Sequence, residues 1–211
     1  SKFKTQAKKL NKWIRNTFTA ADLYEEFAEA TLGAPVKKVE KEELPKISVI
    51  TSVYNGDEYI KEFLEDITSQ TIFDKCELIL VNANSPGNEE ETIKEYLEKY
   101  DNIVYEKLEE DPGIYGTWNY ALGLATGEYV TNSNLDDRKV ANSLEKHAKE
   151  LYLNPNVDLV YADMLITDAP NETFVNNSSN GRKYTFPEYS FENLKMVNMP
   201  HASPMWRKDL H

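Results

Sequence analysis

The sequence has little cysteine, few basic residues and no long apolar run, and each shortage excludes a class of protein. Cys76 is the single cysteine, which excludes an internal disulfide framework and a cysteine-built zinc site and favours a reducing, cytoplasmic location. No stretch approaches about 20 consecutive apolar residues, so no membrane-spanning helix is predicted. The sequence has 24 Lys and Arg residues and 36 Asp and Glu residues, and the resulting net charge of −12 argues against a nucleic-acid partner.

The positive charge that is present is concentrated near the N-terminus. Residues 1–18 carry six basic residues and no acidic one, with apolar residues at helical spacing, and a second helical run covers 20–32. No apolar segment follows the basic start, so we do not expect a secretory signal. We assign residues 1–45 to an N-terminal helical extension and linker, and 46–211 to the main domain. The basic helix could lie on the inner face of a membrane, but a helix packed on its own domain, or a remnant of a preceding one, is favoured.

From Ile47 onward, short β-branched runs alternate with amphipathic helical runs. Such alternation predicts an α/β fold with a mainly parallel sheet and helices on both faces. The Asn-rich segment 171–183 is predicted to be a loop. The predicted strands are 47–53, 77–81, 103–106, 128–131 and 157–161, and the predicted helices are 57–70, 89–100, 115–125 and 140–152.

Ligands of open parallel sheets bind beyond the carboxyl ends of the strands, which selects the segments 52–56, 82–85, 111–116 and 132–138. The last of them contains the adjacent carboxylates Asp136 and Asp137. Carboxylate oxygens suit Mn²⁺ or Mg²⁺, which often complete their coordination with substrate phosphates. The alternative is that Asp136 caps the next helix and Asp137 is solvated.

Five of these segments, in this order and spacing, resemble the nucleotide-binding half of family-2 glycosyltransferases, which have the GT-A fold. The segments are ISVITSVYN, SQT at 69–71, ELILVNANS, GIYGTWNYALGLATGEYV and NLDDR, and they run from Ile47 to about Asp163. The resemblance implies a hexosyltransferase-like enzyme of glycan or polysaccharide biosynthesis. Such an enzyme uses a nucleotide-diphospho-sugar and Mn²⁺ or Mg²⁺, and it transfers the sugar to a hydroxyl of a glycan or other acceptor with inversion.

The resemblance also implies roles for individual residues. Tyr54 would stack on the base, although a rim aromatic packed on the next helix is the alternative. Asp136 and Asp137 would hold the metal. His201 is a further candidate ligand, and the alternative is that His201 has only a structural role. The residues expected to contact the nucleotide are Ser52, Tyr54, Asn55, Asn82, Asn84, Gly113, Tyr115, Asn119 and Asp136.

Two substitutions depart from the family pattern. Family members usually have paired aspartates at Asn82-Ala83, the second of which hydrogen-bonds the base, and Ala83 cannot do so. UDP-sugar is the favoured donor. The alanine leaves three alternatives: Asn82 or Asn84 reads the base instead, the base is not uracil, or the domain has lost its nucleotide site. Asn134 replaces the first Asp of the metal motif and removes one charge. These departures motivate the alternative of a catalytically inactive glycosyltransferase-like binding module.

The catalytic base is expected outside these 211 residues. Inverting members use a carboxylate in a downstream acidic motif, and the final segment 204–211 resembles the stretch just before that motif. Asp209 lies three residues from the end, where rigid placement is not expected. We therefore expect residues 46–211 to be a GT-A domain without its acceptor and base portion, within a larger transferase.

Three further side chains receive specific predictions. We expect Cys76 to be a small buried apolar residue and His147 to lie on the surface. Arg138 directly follows the acidic pair, and it is expected to balance those carboxylates or to contact phosphate.

Overall fold

The computed structural model describes residues 39–187, 189–198, 200 and 204–211. The chain divides into two compact units, residues 1–39 and 40–211. The helices predicted within residues 1–38, and the candidate ligand His201, lie outside the described residues. None of the helices in the described ranges is both long enough and apolar enough to cross a membrane.

The centre of the second unit, residues 40–211, is a six-stranded sheet. Its strands and those of a small separate hairpin are β1 (Ile47–Val53), β2 (Cys76–Asn82), β3 (Ile103–Lys107), β4 (Tyr129–Asn132), β5 (Leu159–Val160), β6 (Met164–Leu165), β7 (Lys183–Tyr184) and β8 (Met205–Arg207). The sheet order is β3-β2-β1-β4-β8-β5, and β6 pairs with β7. Strands β1 to β4 are parallel, whereas β8 runs antiparallel to both of its neighbours.

The mainly parallel α/β sheet is as predicted, but the place of β5 and the presence of β8 are not. Strand β5 was expected to continue the strand–helix series, yet β8 lies between β4 and β5. Strand β8 has only three residues, which is too short for a period-2 pattern to stand out in the sequence. Its pairing partners therefore depend on the folded chain.

The helices occupy the predicted segments with shifted ends. They are α1 (Ile60–Thr68), α2 (Glu89–Leu97), α3 (Gly113–Leu124), α4 (Ser143–Leu153) and the short α5 (Phe191–Met196), with 3₁₀ turns at Lys41–Glu43, Phe73–Lys75 and Lys208–Leu210. Helix α5 was not predicted. It begins after Ser190, whose hydroxyl accepts a hydrogen bond from the Asn193 amide at 3.1 Å.

The core is formed by the central strands and the apolar faces of the helices. Strand β2 is buried along its whole length, as expected for a strand covered on both faces. On one face, Ala121 of α3 packs with Ile50, Ile79 and Val130, and the half-buried Trp118 packs against this cluster. Trp118 therefore packs with the core.

Burial decides the state of two titratable side chains. Cys76 is buried as predicted, and burial raises the pKa of its thiol to about 12. His147, in contrast, is not on the surface as predicted. It is 7% exposed on the inner face of α4, and desolvation, with the nearby Lys139 charge, lowers its pKa to about 4.

Candidate functional site

Loops at the carboxyl ends of the parallel strands surround a cavity of about 350 Å³. The loops after β1, β2 and β4 and the segment before α3 all reach it, so the structure brings together the four segments selected from the sequence. From the three strand loops, the wall receives Ser52, Tyr54, Asn55, Ala83, Asn134 and Asp136.

The loop after β1 is held in place by a buried carboxylate. Glu89, at the start of α2, is fully buried, and its Oε1 accepts hydrogen bonds from the Gly56 amide at 2.6 Å and the Ser85 hydroxyl at 2.8 Å. The Asn55 amide donates to the same hydroxyl at 3.0 Å, and Asn55 has a positive φ of 49°. This fixed turn leaves Tyr54 46% exposed at the cavity, where a flat ring can stack on its side chain.

The loop after β2 offers the cavity less than the sequence suggested. The Asn82 side chain is buried and engaged on both sides, since its Nδ2 donates to the Tyr105 hydroxyl at 3.1 Å and its Oδ1 accepts from the Ser85 amide at 2.7 Å. Asn84 has φ 56° and is exposed outside the cavity wall. Ala83 lines the cavity instead, so this loop contributes no polar side chain to the wall where Asn82 or Asn84 was expected to read the base.

The start of α3 and the segment before it contribute different residues from those predicted. Asp111 and Ile114 line the cavity, whereas Gly113, Tyr115 and Asn119 do not. The Asp111 carboxylate also accepts a hydrogen bond from the Gly113 amide at 2.8 Å, and Gly113 has φ 75°. Positions 115 and 119 are four residues apart and share another helix face, where the exposed Tyr115 ring meets Trp118 edge-on at 5.8 Å.

The acidic pair lies where this cavity meets a second one of about 180 Å³. Asp136 lines both cavities, and Asp137 lines the second. The side-chain Nδ2 of Asn134 donates to Asp137 Oδ2 at 2.8 Å, so Asn134 orients one carboxylate of the pair. Arg138 does not balance these carboxylates in the way the sequence suggested, because its ion-pair partner is Asp66 of α1, with Nε and Oδ1 3.6 Å apart.

Two side chains in this region carry signals that the sequence did not reveal. Lys139 is 7% exposed, and its burial lowers the pKa of its ammonium group, although Asp137 and Asp66 oppose that shift. Tyr59 lines the main cavity, and a hydrogen bond with Glu58, followed by burial and the charges of Glu58 and Asp136, raises its pKa. Lys139 is close to Asp137 in sequence, whereas Tyr59 reaches Asp136 only through the folding of the chain.

The acidic pair suits a cation that also binds a ligand. Within residues 39–187, 189–198, 200 and 204–211, no group of three or more His, Cys, Asp or Glu side chains forms a ready metal cage. Two neighbouring carboxylates are nevertheless the protein contribution that Mg²⁺ and Mn²⁺ commonly receive when phosphates and water supply the other ligands. The donor set therefore fits a cation shared with a phosphate-bearing substrate.

Asp209 lies near the amino ends of the parallel strands, opposite to the cavity at their carboxyl ends. Strand β8 runs antiparallel to β4, so it carries the chain toward the start of β4, where Lys208 donates its amide to the Glu128 carbonyl at 2.8 Å. Asp209 lines a surface pocket there with Gly127 and Glu128. Asp209 therefore lies away from the candidate site.

The sequence profile of glycosyl transferase family 2 matches residues 48–211. The chain belongs to this family. It is 31% identical over 153 residues to an uncharacterized glycosyltransferase of Methanocaldococcus jannaschii, covering 72% of this chain and 50% of the relative. It is 39% identical over 113 residues to the minor teichoic acid biosynthesis protein GgaB of Bacillus subtilis, covering 49% of this chain and 12% of GgaB. The family-2 domain thus spans half or less of the length of these relatives.

Solved structures of glycosyltransferases share the fold of this family-2 domain. The mannosyltransferase PcManGT from Pyrobaculum calidifontis, in complex with GDP-Man and Mn²⁺, matches with a TM-score of 0.54 and 26% identity over 66% of this chain and 42% of its own. S. aureus TarS 1–349 matches with a TM-score of 0.63 and 24% identity over 78% of this chain and 48% of its own. The predicted GT-A fold is confirmed by these likenesses.

Proposed function

We propose that this domain binds a nucleotide-diphospho-sugar with a divalent cation and transfers the sugar to a hydroxyl acceptor with inversion. The observation that carries the proposal is the meeting of Ser52, Tyr54 and Asp136 in one cavity at the carboxyl edge of the sheet. This edge is where ligands of open α/β sheets bind. In one cavity, an aromatic ring can stack on the base of a nucleoside diphosphate, and a carboxylate can hold a cation against its diphosphate.

The base of the donor would stack on Tyr54 and receive a polar contact from Ser52. Such a stack contributes about 0.5–1.5 kcal/mol beyond the apolar area it buries. Ala83 supplies no polar side chain, so the remaining recognition of the base would come from backbone groups of the neighbouring loops. UDP-sugar is the donor that the family pattern favours, and GDP-sugar is the comparison, because the similar mannosyltransferase was solved with GDP-Man.

Asp136 and Asp137 would hold Mn²⁺ or Mg²⁺, with Asn134 orienting Asp137 through its 2.8 Å hydrogen bond. A bound cation supplies charge neutralisation for the donor diphosphate and for the leaving nucleoside diphosphate. The carboxylates themselves bind and orient, and without a cation they would repel the diphosphate. Donor binding is therefore expected to depend on the metal.

In the transfer step, the acceptor oxygen forms a bond to the anomeric carbon as the bond from that carbon to the diphosphate breaks. Attack from the face opposite the diphosphate inverts the anomeric configuration. The acceptor proton passes to a carboxylate base. We still predict that this base belongs to the sequence after His211. The second cavity adjoins Asp136 and offers room on the far side of the acidic pair for an acceptor hydroxyl.

Titration calorimetry with UDP and with GDP, each with and without Mn²⁺, tests the proposal. We expect one nucleotide to bind at least tenfold more tightly with Mn²⁺, and the double variant Asp136→Asn, Asp137→Asn to lose that gain. The matched control is Glu109→Gln, Glu110→Gln, which neutralises an exposed adjacent acidic pair outside the cavity wall. Absence of nucleotide binding with every metal tried would contradict the proposal.

A second candidate, a nucleotide-sugar-binding domain without transfer activity, is favoured by Ala83, which lines the cavity and has no polar side chain. Slow donor hydrolysis distinguishes the two in a protein that includes the natural sequence after His211. A transferase releases nucleoside diphosphate from its donor, whereas a binding domain retains the donor intact at saturating Mn²⁺.

A further inference from the structure

The Ser-Gln-Thr segment at 69–71 is part of the family resemblance, yet it lies outside the walls of both cavities. It follows the last turn of α1, and that turn contacts the chain immediately after the acidic pair. These contacts join residues about 70 positions apart, so they are not local features of either segment.

Three consecutive residues after the acidic pair are held by the end of α1 and the segment that follows it. The Lys139 amide donates to Asp66 Oδ2 at 2.9 Å, and Gln70 Nε2 donates to the Val140 carbonyl at 3.1 Å. The Thr71 amide donates to the carbonyl of residue 141 at 2.9 Å. Gln70 Oε1 also accepts from the amide of residue 144 at 3.3 Å, so its side chain is used at both ends.

The start of the same loop is attached to the sheet. The Ser133 amide donates to the Ile50 carbonyl at 3.0 Å, which continues the β1–β4 ladder. Asp136 and Asp137 therefore lie between an anchor on the sheet and an anchor on α1. A short loop held at both ends has few ways to displace its carboxylates.

Asp66 also determines where the charge of Arg138 goes. The Arg138 side chain is 13% exposed, and its Nε and Nη1 are buried without a hydrogen-bond partner in the described part of the chain. Asp66 Oδ1, 3.6 Å from Nε, is the ion-pair partner. Without that carboxylate the guanidinium is left buried and uncompensated beside the acidic pair, which is costly enough to draw it toward those carboxylates.

We propose that Asp66 and Gln70 are positioning residues for the Asp136–Asp137 pair. Neither lines either of the two cavities described above, so they act through the loop and not on a ligand. Asp66 holds the loop backbone and keeps Arg138 away from the carboxylates, and Gln70 fixes the next turn. This inference rests on the proposed function for its consequence in metal binding, whereas the bracing of the loop stands without it.

The test compares Asp66→Asn and Gln70→Ala with Asn102→Ala. Asn102 is a matched control, because its Nδ2 bridges two backbone carbonyls, of Phe73 and Cys76, both at 2.9 Å, far from the acidic pair. We expect each test variant to weaken Mn²⁺-dependent UDP or GDP binding on the order of tenfold, as loss of a group that orients a metal ligand does. Affinity without metal should stay within about twofold of wild type.

Hydrogen exchange of peptides covering residues 133–141 gives a readout that needs no ligand. Exchange there should accelerate at least tenfold in Asp66→Asn and Gln70→Ala and stay unchanged in Asn102→Ala. If the Asp66→Asn variant does not fold, the same measurements on Gln70→Ala test the inference. Unchanged exchange, or equal losses of affinity with and without Mn²⁺, overturns the inference. A wild-type protein with no Mn²⁺ effect contradicts the proposed function alone.

Discussion

Replacing Glu77 with glutamine is expected to destabilise the fold by about 3 kcal/mol at pH 7. Glu77 is a buried residue of β2 at the amino edge of the sheet. Its Oε1 accepts hydrogen bonds from the Ser48 hydroxyl and the Thr126 amide, both at 2.6 Å, and from the Gly127 amide at 3.2 Å. Its Oε2 accepts from the Thr126 hydroxyl at 2.7 Å and pairs with Lys46 at 2.6 Å.

The magnitude follows from the pKa of this carboxyl group. Burial alone would raise the pKa of Glu77, but hydrogen bonds from Lys46, Ser48 and Thr126 together outweigh burial and lower it to about 2, from an ordinary value of 4.5. A shift of about 2.5 units corresponds to about 3 kcal/mol of preference for the charged form in the folded state. Because the folded pKa is the lower one, this stability is complete above pH 4.5 and disappears as the pH falls toward 2.

Urea unfolding followed by tryptophan fluorescence at pH 7, 5, 4 and 3 measures the effect. The free-energy difference between wild type and Glu77→Gln should be largest at pH 5 and above and should shrink at pH 4 and again at pH 3. Glu106→Gln, which changes an exposed strand residue of the same sheet, is the control and should match wild type throughout. A Glu77→Gln difference that is constant across this pH range would refute the electrostatic explanation.

Other perturbations test burial and close packing. Since His147 has an ordinary pKa of 6.5 and a folded one of about 4, the protein should lose about 2 kcal/mol of stability between pH 7 and 5, and urea unfolding of His147→Gln should lack that loss. Gly56→Ala places a Cβ against the Leu135 side chain, next to Asp136, so calorimetry should show weaker Mn²⁺-dependent UDP or GDP binding with little change in unfolding temperature. A disulfide reagent should modify Cys76 about a thousandfold more slowly in the native protein than in urea, because burial suppresses its thiolate; equal rates would contradict this.

The regular elements near the sheet centre could be predicted because their signals are local. Strand β1 was predicted with its exact bounds and β2 within one residue of each end, since long β-branched runs admit few other structures. The sequence predicted that α4 begins at Val140, but the helix begins at Ser143, and the Val140 carbonyl accepts a hydrogen bond from Gln70, which follows the distant α1. The sequence of residues 140–152 alone could not predict this contact, because its partner is about 70 positions away.

Within the candidate site, the sequence identified the loops better than it identified the side chains. Ser52, Tyr54 and Asp136 were predicted and line the cavity, whereas Asn82 is turned inward by its contacts with Tyr105 and Ser85. A loop position does not state which way its side chain points, because that depends on the strand beside it.

By itself, the sequence determined the family, the parallel sheet and the loops that meet at its carboxyl edge, because hydrophobic periodicity and motif spacing are properties of neighbouring residues. Only the tertiary structure decided that Arg138 pairs with Asp66, that His147 is buried and that β8 separates β4 from β5. Each of these depends on segments far apart in the chain, where packing and desolvation select among partners that the local sequence leaves equivalent.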